Sequence, residues 1–188
     1  MFLRKSTTRR DPLPVTMSGV RMGERVLQVG AGDPRIVGAI AAKVGLSGHA
    51  AMAVADEPGA ARARAAAAEA GGLADVHVTP ADALPFPDGD FDALVVHNMD
   101  QTLAGSDAAQ HRATAAEWRR VLRAGGRIVV IERGTPSGLG ALLRTAPKAD
   151  PAYEAGGGTV AVLENGGFRP VRTLGDREGF RFVEGLKT

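Results

Sequence analysis

From Arg25 to Arg133 the chain alternates two kinds of segment, and that alternation restricts the fold more than any other feature. The runs "RVLQVG", "HAAMAVAD", "DVHVTP", "FDALVVHN" and "RIVVIER" are short and mostly apolar or β-branched. Runs of that length and content mark buried strands. The segments "DPRIVGAIAAKVG", "EPGAARARAAAAEAGG" and "SDAAQHRATAAEWRRVLRAGG" read as helices closed by glycines. In the first, Asp33 caps, Pro34 takes the first helical position and Gly45 ends the helix. In the third, Trp118 falls at core spacing with Val121 and Leu122. The third and fourth runs are joined instead by a loop, "ADALPFPDGD". Strand and helix in this succession fold by right-handed crossovers into a parallel sheet with helices on both faces. The expected fold is α/β, a single doubly wound domain.

The flanks complete the sheet. "FRPVRTLGDREGFRFVEGLK" predicts an antiparallel hairpin whose tight turn contains Gly175 and Asp176. The sheet then has seven strands, mostly parallel, with one antiparallel strand from the hairpin. "TVAVLENGG" predicts the helix before it. Residues 1–24 carry Pro12, Pro14 and Gly19 and read as an irregular lead-in. Residues 134–158 read as irregular with one short helix. No repeat or linker divides the chain, so residues 1–188 are expected to form one domain.

Composition excludes several functions. The chain has no cysteine, which removes disulfides, a thiolate nucleophile and cysteine metal sites. A formal charge of +2 is too small to imply a nucleic-acid partner, and "RKSTTRR" near the N-terminus reads as a solvated arm. No apolar run nears the roughly 20 residues that cross a bilayer. "DPLPVT" interrupts any signal-peptide core. His49, His77 and His111 lack metal-like spacing. The expectation is a cytoplasmic protein with no membrane span, no nucleic-acid partner and no metal.

In a doubly wound sheet, ligands bind beyond the carboxyl ends of the strands, beside the first strand. Gly30–Asp33 follow the first strand, Asp56–Glu57 the second, Ala81–Asp82–Ala83 the third and His97–Asn98 the fourth. The glycines let a ligand approach the backbone, and an acid after the second strand suits ribose hydroxyls. "GAGDPR" has Arg35 where G-x-G-x-x-G has its third glycine. Asp33 also puts a negative charge at the helix start where a pyrophosphate would lie. A donor without phosphate and with two cationic groups tolerates that charge.

These blocks resemble a class I S-adenosylmethionine-dependent methyltransferase of the small-molecule, type 11, ubiquinone-biosynthesis-like group. "VLQVGAGDP" is similar to the family's "VLDVGCGTG", "PADALPFPDGDFD" to "GDAEDLPFPDNSFD", and "EWRRVLRAGGRIVVIE" contains a match to "R-V-L-K-P-G-G". Their order and spacing agree over about residues 20–185. The resemblance implies a Rossmann-like fold and S-adenosylmethionine as cofactor. It implies that Gly30, Ala31 and Gly32 line the methionine and ribose part and that Asp56 binds the ribose hydroxyls. It places Asp82 and Ala83 around the adenine amino group, and His97 near the transferable methyl. Gln28 stands in place of the family's acid and Pro34 in place of its last glycine. After Asp56 the chain is shorter than the usual "D-x-S-P-x-M".

The expected chemistry is methyl transfer to an O, N or C nucleophile of a small molecule, with His97 as the candidate general base. Each site residue has a plainer role beside this one. The glycines make a tight turn, Asp56 starts a helix, and His97 ends a strand. Asp88, Asp90 and Asp92 are read as surrounding a turn and nothing more. Two rival readings stand: a non-catalytic protein that binds the cofactor, its product or only a protein partner, and an NAD-dependent oxidoreductase. Residues 134–158 are expected to cover the pocket when substrate is present. The short lead-in leaves room for a homodimer in which a partner subunit closes the site.

Overall fold

The computed structural model describes residues 11–100, 103–134 and 150–188. Strand β1 (Arg25–Val29) is buried after its first residue. The chain then turns into helix α2 (Pro34–Val44), where the Asp33 carboxylate accepts the Arg35 amide and Pro34 occupies the first turn. A short helix, α1 (Leu13–Met17), precedes both. After β2 (His49–Val54), α3 (Glu57–Glu69) buries only Gly59 and alanines. Its small face lets α2 pack closely, because any side chain at Gly38 would strike the Ala66 carbonyl. Strands β3 (Asp75–Val78) and β4 (Phe91–Asn98) follow, joined by the predicted loop. Helix α4 (Ala108–Val121) is capped by Asp107 and leads into β5 (Leu122–Arg133). Helices α5 (Pro151–Ala155) and α6 (Gly158–Asn165) precede the hairpin β6 (Val171–Arg177) and β7 (Phe180–Leu186).

The seven strands lie in the order β3-β2-β1-β4-β5-β7-β6. All neighbours from β3 to β5 are parallel, and β7 runs antiparallel between β5 and β6. The strand order reverses between β1 and β4, where a doubly wound sheet opens its binding crevice. Alternate residues of the central strands feed two cores. Leu94, Val96, Ile128 and Val130 join Trp118 of α4 and Leu163 of α6 on one face. Ala93, Val95, Val129 and Ile131 join Val15 of α1 and Ile36 and Ile40 of α2 on the other.

Three boundaries differ from expectation. The lead-in is not wholly irregular, since Pro12 and Pro14 start α1, and Val15 is fully buried against the sheet. Helix α4 stops at Val121 rather than at the glycines, and "RAGG" lies within β5. The register with β4 slips there, from Phe91 opposite Leu122 to Ala93 opposite Arg127, so the glycines form a bulge. The hairpin turns at Glu178 and Gly179, with φ of 55° and 79°, not at Gly175 and Asp176. Two residues of positive φ match the twist of the flanking strands. Gly175 instead sits at a register shift within β6. The basic arm "RKSTTRR" and most of the stretch expected to cover the pocket lie outside the described residues.

Candidate active site

The glycine turn closes on β4. Gly30 has a φ of 93° and donates its amide to Ala53 of β2 at 2.9 Å. A side chain there would come within 2.8 Å of the His97 carbonyl. At Gly32 it would land on the His97 imidazole itself. Loop and strand end therefore meet at a distance that only glycine permits. The predicted residues Gly30, Gly32 and His97 are in contact.

His97 is fixed from behind. Gln28 is fully buried and donates its amide nitrogen to the Val37 carbonyl at 3.1 Å. Its oxygen lies 2.9 Å from His97 Nε2, so the ring carries its proton on Nε2 and leaves Nδ1 as acceptor. Burial pushes the His97 pKa down to about 4, against a smaller upward pull from the Asp33 carboxylate. The pair is neutral near pH 7. Glutamine suits this position physically, because a carboxylate there would be a buried charge beside a neutral ring.

Asp56 caps α3, accepting the Gly59 amide at 2.6 Å, and is otherwise exposed. One carboxylate oxygen is thus committed to the helix, and only the other remains for a ribose. In "D-x-S-P-x-M" the serine before proline is the residue type that caps a helix. Here Asp56 caps instead, and Glu57 stands directly before Pro58. Ala31 approaches the start of α3, about 3.6 Å from where a Gly59 side chain would begin. The cleft between them, lined by Ala31, Gly32, Met52, Gly59 and Arg62, holds about 10 Å³, scarcely one water.

Asp82 and Ala83 are exposed on the loop after β3, with Thr79 Oγ1 donating to the Ala83 carbonyl at 2.6 Å. Strand β2 lies between β3, which leads into them, and β1, which leads into the glycine turn. The loop is clasped from α4. Arg120 donates to the carbonyls of Leu84 and Phe86 and to Asp88, and Glu117 accepts the Leu84 amide at 2.7 Å. The blocks "LPFPD" and "EWRRVL" are therefore two sides of one contact. Asp90 and Asp92 are also more than turn residues. Asp90 pairs with Arg25 at 2.7 Å, and Asp92 with Arg123 at 2.6 Å while accepting the Arg25 amide.

Sequence reasoning missed a second cluster, at the ends of β4, β5 and β7. Asn98, Glu132 and Arg181 stand side by side in register on the face that carries α4 and α6. Thr159 of α6 donates to Glu132 Oε2 at 2.5 Å, and the Tyr153 hydroxyl of α5 lies 2.8 Å from Thr159 Oγ1. Beside Tyr153 opens a cleft of about 420 Å³, bounded by His111 and Arg112 of α4, Asp150, Val162 and Asn165. One signal was present: Glu132 is an acid ending an apolar strand, the same placement that drew notice to Asp56. Among the described residues, no group of three or more His, Asp or Glu side chains is arranged to hold a metal, and no helix is long and apolar enough to cross a membrane.

Comparison with known proteins shows the family and the fold. The family described as "Methyltransferase domain" matches residues 27–130. An uncharacterised protein of Mycobacterium tuberculosis is 36% identical over 147 residues, covering 77% of this chain and 50% of its own length. A ubiquinone/menaquinone biosynthesis C-methyltransferase of Teredinibacter turnerae is 32% identical over 124 residues, covering 65% of this chain and 48% of its own. The chain thus spans about half the length of the curated relatives it matches. Among solved structures, a SAM-dependent methyltransferase from Aquifex aeolicus superposes with a TM-score of 0.70 at 18% identity, covering 93% of this chain and 87% of the other.

Proposed function

The chain belongs to the methyltransferase-domain family, and from that premise we propose that it transfers a methyl group from S-adenosylmethionine to a small-molecule nucleophile. The observation that carries the reading is the contact of Gly30 and Gly32 with His97 at the point where the strand order reverses. S-adenosylmethionine supplies a methyl already activated by a sulfonium. The residues present fit it. The exposed Asp33 carboxylate beside the loop suits its cationic groups and opposes a pyrophosphate, which disfavours NAD. The narrow cleft behind the loop cannot admit an adenosyl group, which leaves the exposed rim.

On this reading Gly30, Ala31 and Gly32 line the donor, Asp56 meets the ribose with its uncommitted oxygen, and Asp82 with Ala83 borders the adenine. His97 lies nearest the methyl and acts by position. With a pKa near 4 it is a weak base, and its Nε2 proton is held by Gln28. Turnover by His97→Ala separates these roles: a base would cost 100-fold or more, while a positioning residue moves donor affinity more than kcat. A homodimer belongs to the same reading, and light scattering of the purified chain measures it.

A second reading is a protein that binds the donor or its product without turnover. The neutral Gln28–His97 pair motivates it, since it offers no charge to the donor's ammonium. Isothermal titration with S-adenosylmethionine and S-adenosylhomocysteine, followed by a broad acceptor screen, decides between the two. Transfer to any acceptor ends the second reading. Binding with no transfer ends the first.

A further inference from the structure

The cluster around Glu132 is a buried polar assembly outside the donor site, and the direction of its protons can be read. Glu132 is 6% exposed. Its Oε2 accepts from Thr159 Oγ1 at 2.5 Å and from Asn98 Nδ2 at 3.4 Å, and Arg181 Nη1 lies 3.9 Å from Oε1. Thr159 has a single hydroxyl proton, which goes to the carboxylate. In the 2.8 Å contact between Tyr153 and Thr159 the phenol must then be the donor. Each proton in the series points inward, toward Glu132. The phenol oxygen keeps acceptor capacity only, and Tyr153 is the member of the series that lines the 420 Å³ cleft. A ligand meeting that oxygen has to donate to it.

We propose that the cleft between α4, α5 and α6 binds a methyl acceptor bearing an O–H or N–H group that donates to Tyr153, and that Glu132 receives the acceptor's proton through Tyr153 and Thr159. This rests on the methyl-transfer reading and narrows it to oxygen or nitrogen acceptors. The acceptor's lone pair forms the new bond to the methyl carbon, and the carbon–sulfur bond breaks with its electron pair left on sulfur. The acceptor proton passes to Tyr153, the Tyr153 proton to Thr159, and the Thr159 proton to Glu132 Oε2. Glu132 ends as a carboxylic acid and returns the proton to solvent between turnovers. Neither Tyr153 nor Thr159 changes its net charge.

The surroundings favour this direction. Burial raises the proton affinity of Glu132, while the hydrogen bond from Thr159 and the charge of Arg181 hold it down. Arg181 is shared with Glu154 of α5 at 3.3 Å and Asp176 of β6 at 3.5 Å, so it neutralises Glu132 only in part. The carboxylate end of the relay lies beside the donor site. Asn98, bonded to Glu132, immediately follows His97 on β4, and the two side chains face opposite sides of the sheet. His111 flanks the phenol edge-on at 5.7 Å, with Nε2 held by the Leu103 carbonyl at 2.6 Å. It leaves the Tyr153 oxygen to the ligand.

Tyr153 is the single tyrosine of the chain, so a ¹³Cζ-tyrosine label gives one phenol resonance. The chain is titrated with phenol and with anisole, which has the same ring and no O–H. A saturable shift at least several-fold larger for phenol, lost in Thr159→Val and restored in Thr159→Ser, is the expected result. Equal response to the two, or response to neither, overturns the cleft assignment. In transfer assays across phenols and amines, Glu132→Gln lowers kcat about 100-fold and removes the fall of kcat at acid pH. Unchanged kcat in that variant overturns the proton step. The parent reading is tested separately, by thermal unfolding with S-adenosylmethionine. Its failure there overturns the proton step and leaves the phenol preference as the test of the cleft alone.

Discussion

The two ends of the binding edge, one on each side of β4, are built on opposite principles. Around Gly30, Gly32, Gln28 and His97 there is no buried charge, and the arrangement depends on side chains that are absent. Around Glu132, Tyr153, Thr159 and Arg181 it depends on charge and on hydroxyl direction. The first end is fixed by steric contact and tolerates almost no added volume. The second is fixed by protons and tolerates volume better than loss of a donor. A cationic donor that brings its own activation suits a neutral wall. An acceptor that must lose a proton needs a base.

The largest effect should come from added volume at the first end. Gly30→Val combines a positive φ with a clash against the His97 carbonyl, and should cost about 4 kcal/mol in urea unfolding. An equally stable variant would mean that loop and strand do not meet as described. Next is acid sensitivity. The His97 pKa is depressed in the fold, from 6.5 to about 4, so the unfolded chain takes up a proton that the folded chain refuses. Stability is then complete above pH 6.5 and falls by about 3 kcal/mol as pH drops toward 4. His97→Asn should flatten that interval. Below it, Glu24, Asp92 and Glu117, whose pKa values are lowered by their arginine partners and backbone amides despite burial, lose their share as they protonate.

Smaller still is the effect of the clasp that holds the loop after β3 to α4. Arg120→Ala breaks bonds to Leu84, Phe86, Asp88 and Glu117, and should cost about 2 kcal/mol while weakening donor affinity through the loop of Asp82. Loss of stability with donor affinity untouched would detach that loop from the site. The smallest stability change belongs to the second end and has the opposite sign. Burial raises the Glu132 pKa, so the folded chain disfavours its ionised form at pH 7, and Glu132→Gln should unfold at a slightly higher temperature. A destabilised variant would show that Arg181 outweighs the burial.

The sequence made the first end legible because its determinants are local. A β-rich run, two glycines, a cap and a proline within Arg25–Val44 fix strand, turn and helix together. The parallel order of the sheet followed from alternation alone. The tight turn of the hairpin did not, since "LGDREG" offers two glycine positions and only the pairing of β6 with β7 selects Glu178–Gly179. Asp56 was visible as an acid after a strand, but its commitment to the Gly59 amide depends on where α3 begins. The second end was illegible for a stronger reason. Asn98, Glu132, Tyr153, Thr159 and Arg181 come from five elements, and no spacing along the chain predicts that their polar groups line up.

The central claim is that the glycine turn and His97 form a methyl-donor site. Thermal unfolding of the chain with S-adenosylmethionine, S-adenosylhomocysteine and NAD at equal concentration tests it most directly. Ligand at about 100 times its Kd adds roughly 2.7 kcal/mol, which for a domain of this size raises Tm by about 5–10 °C. The account predicts such a shift with the two adenosyl sulfur ligands, none with NAD, and loss of the shift in a Gly32→Ala variant. A shift with NAD, or none with either sulfur ligand, would contradict it.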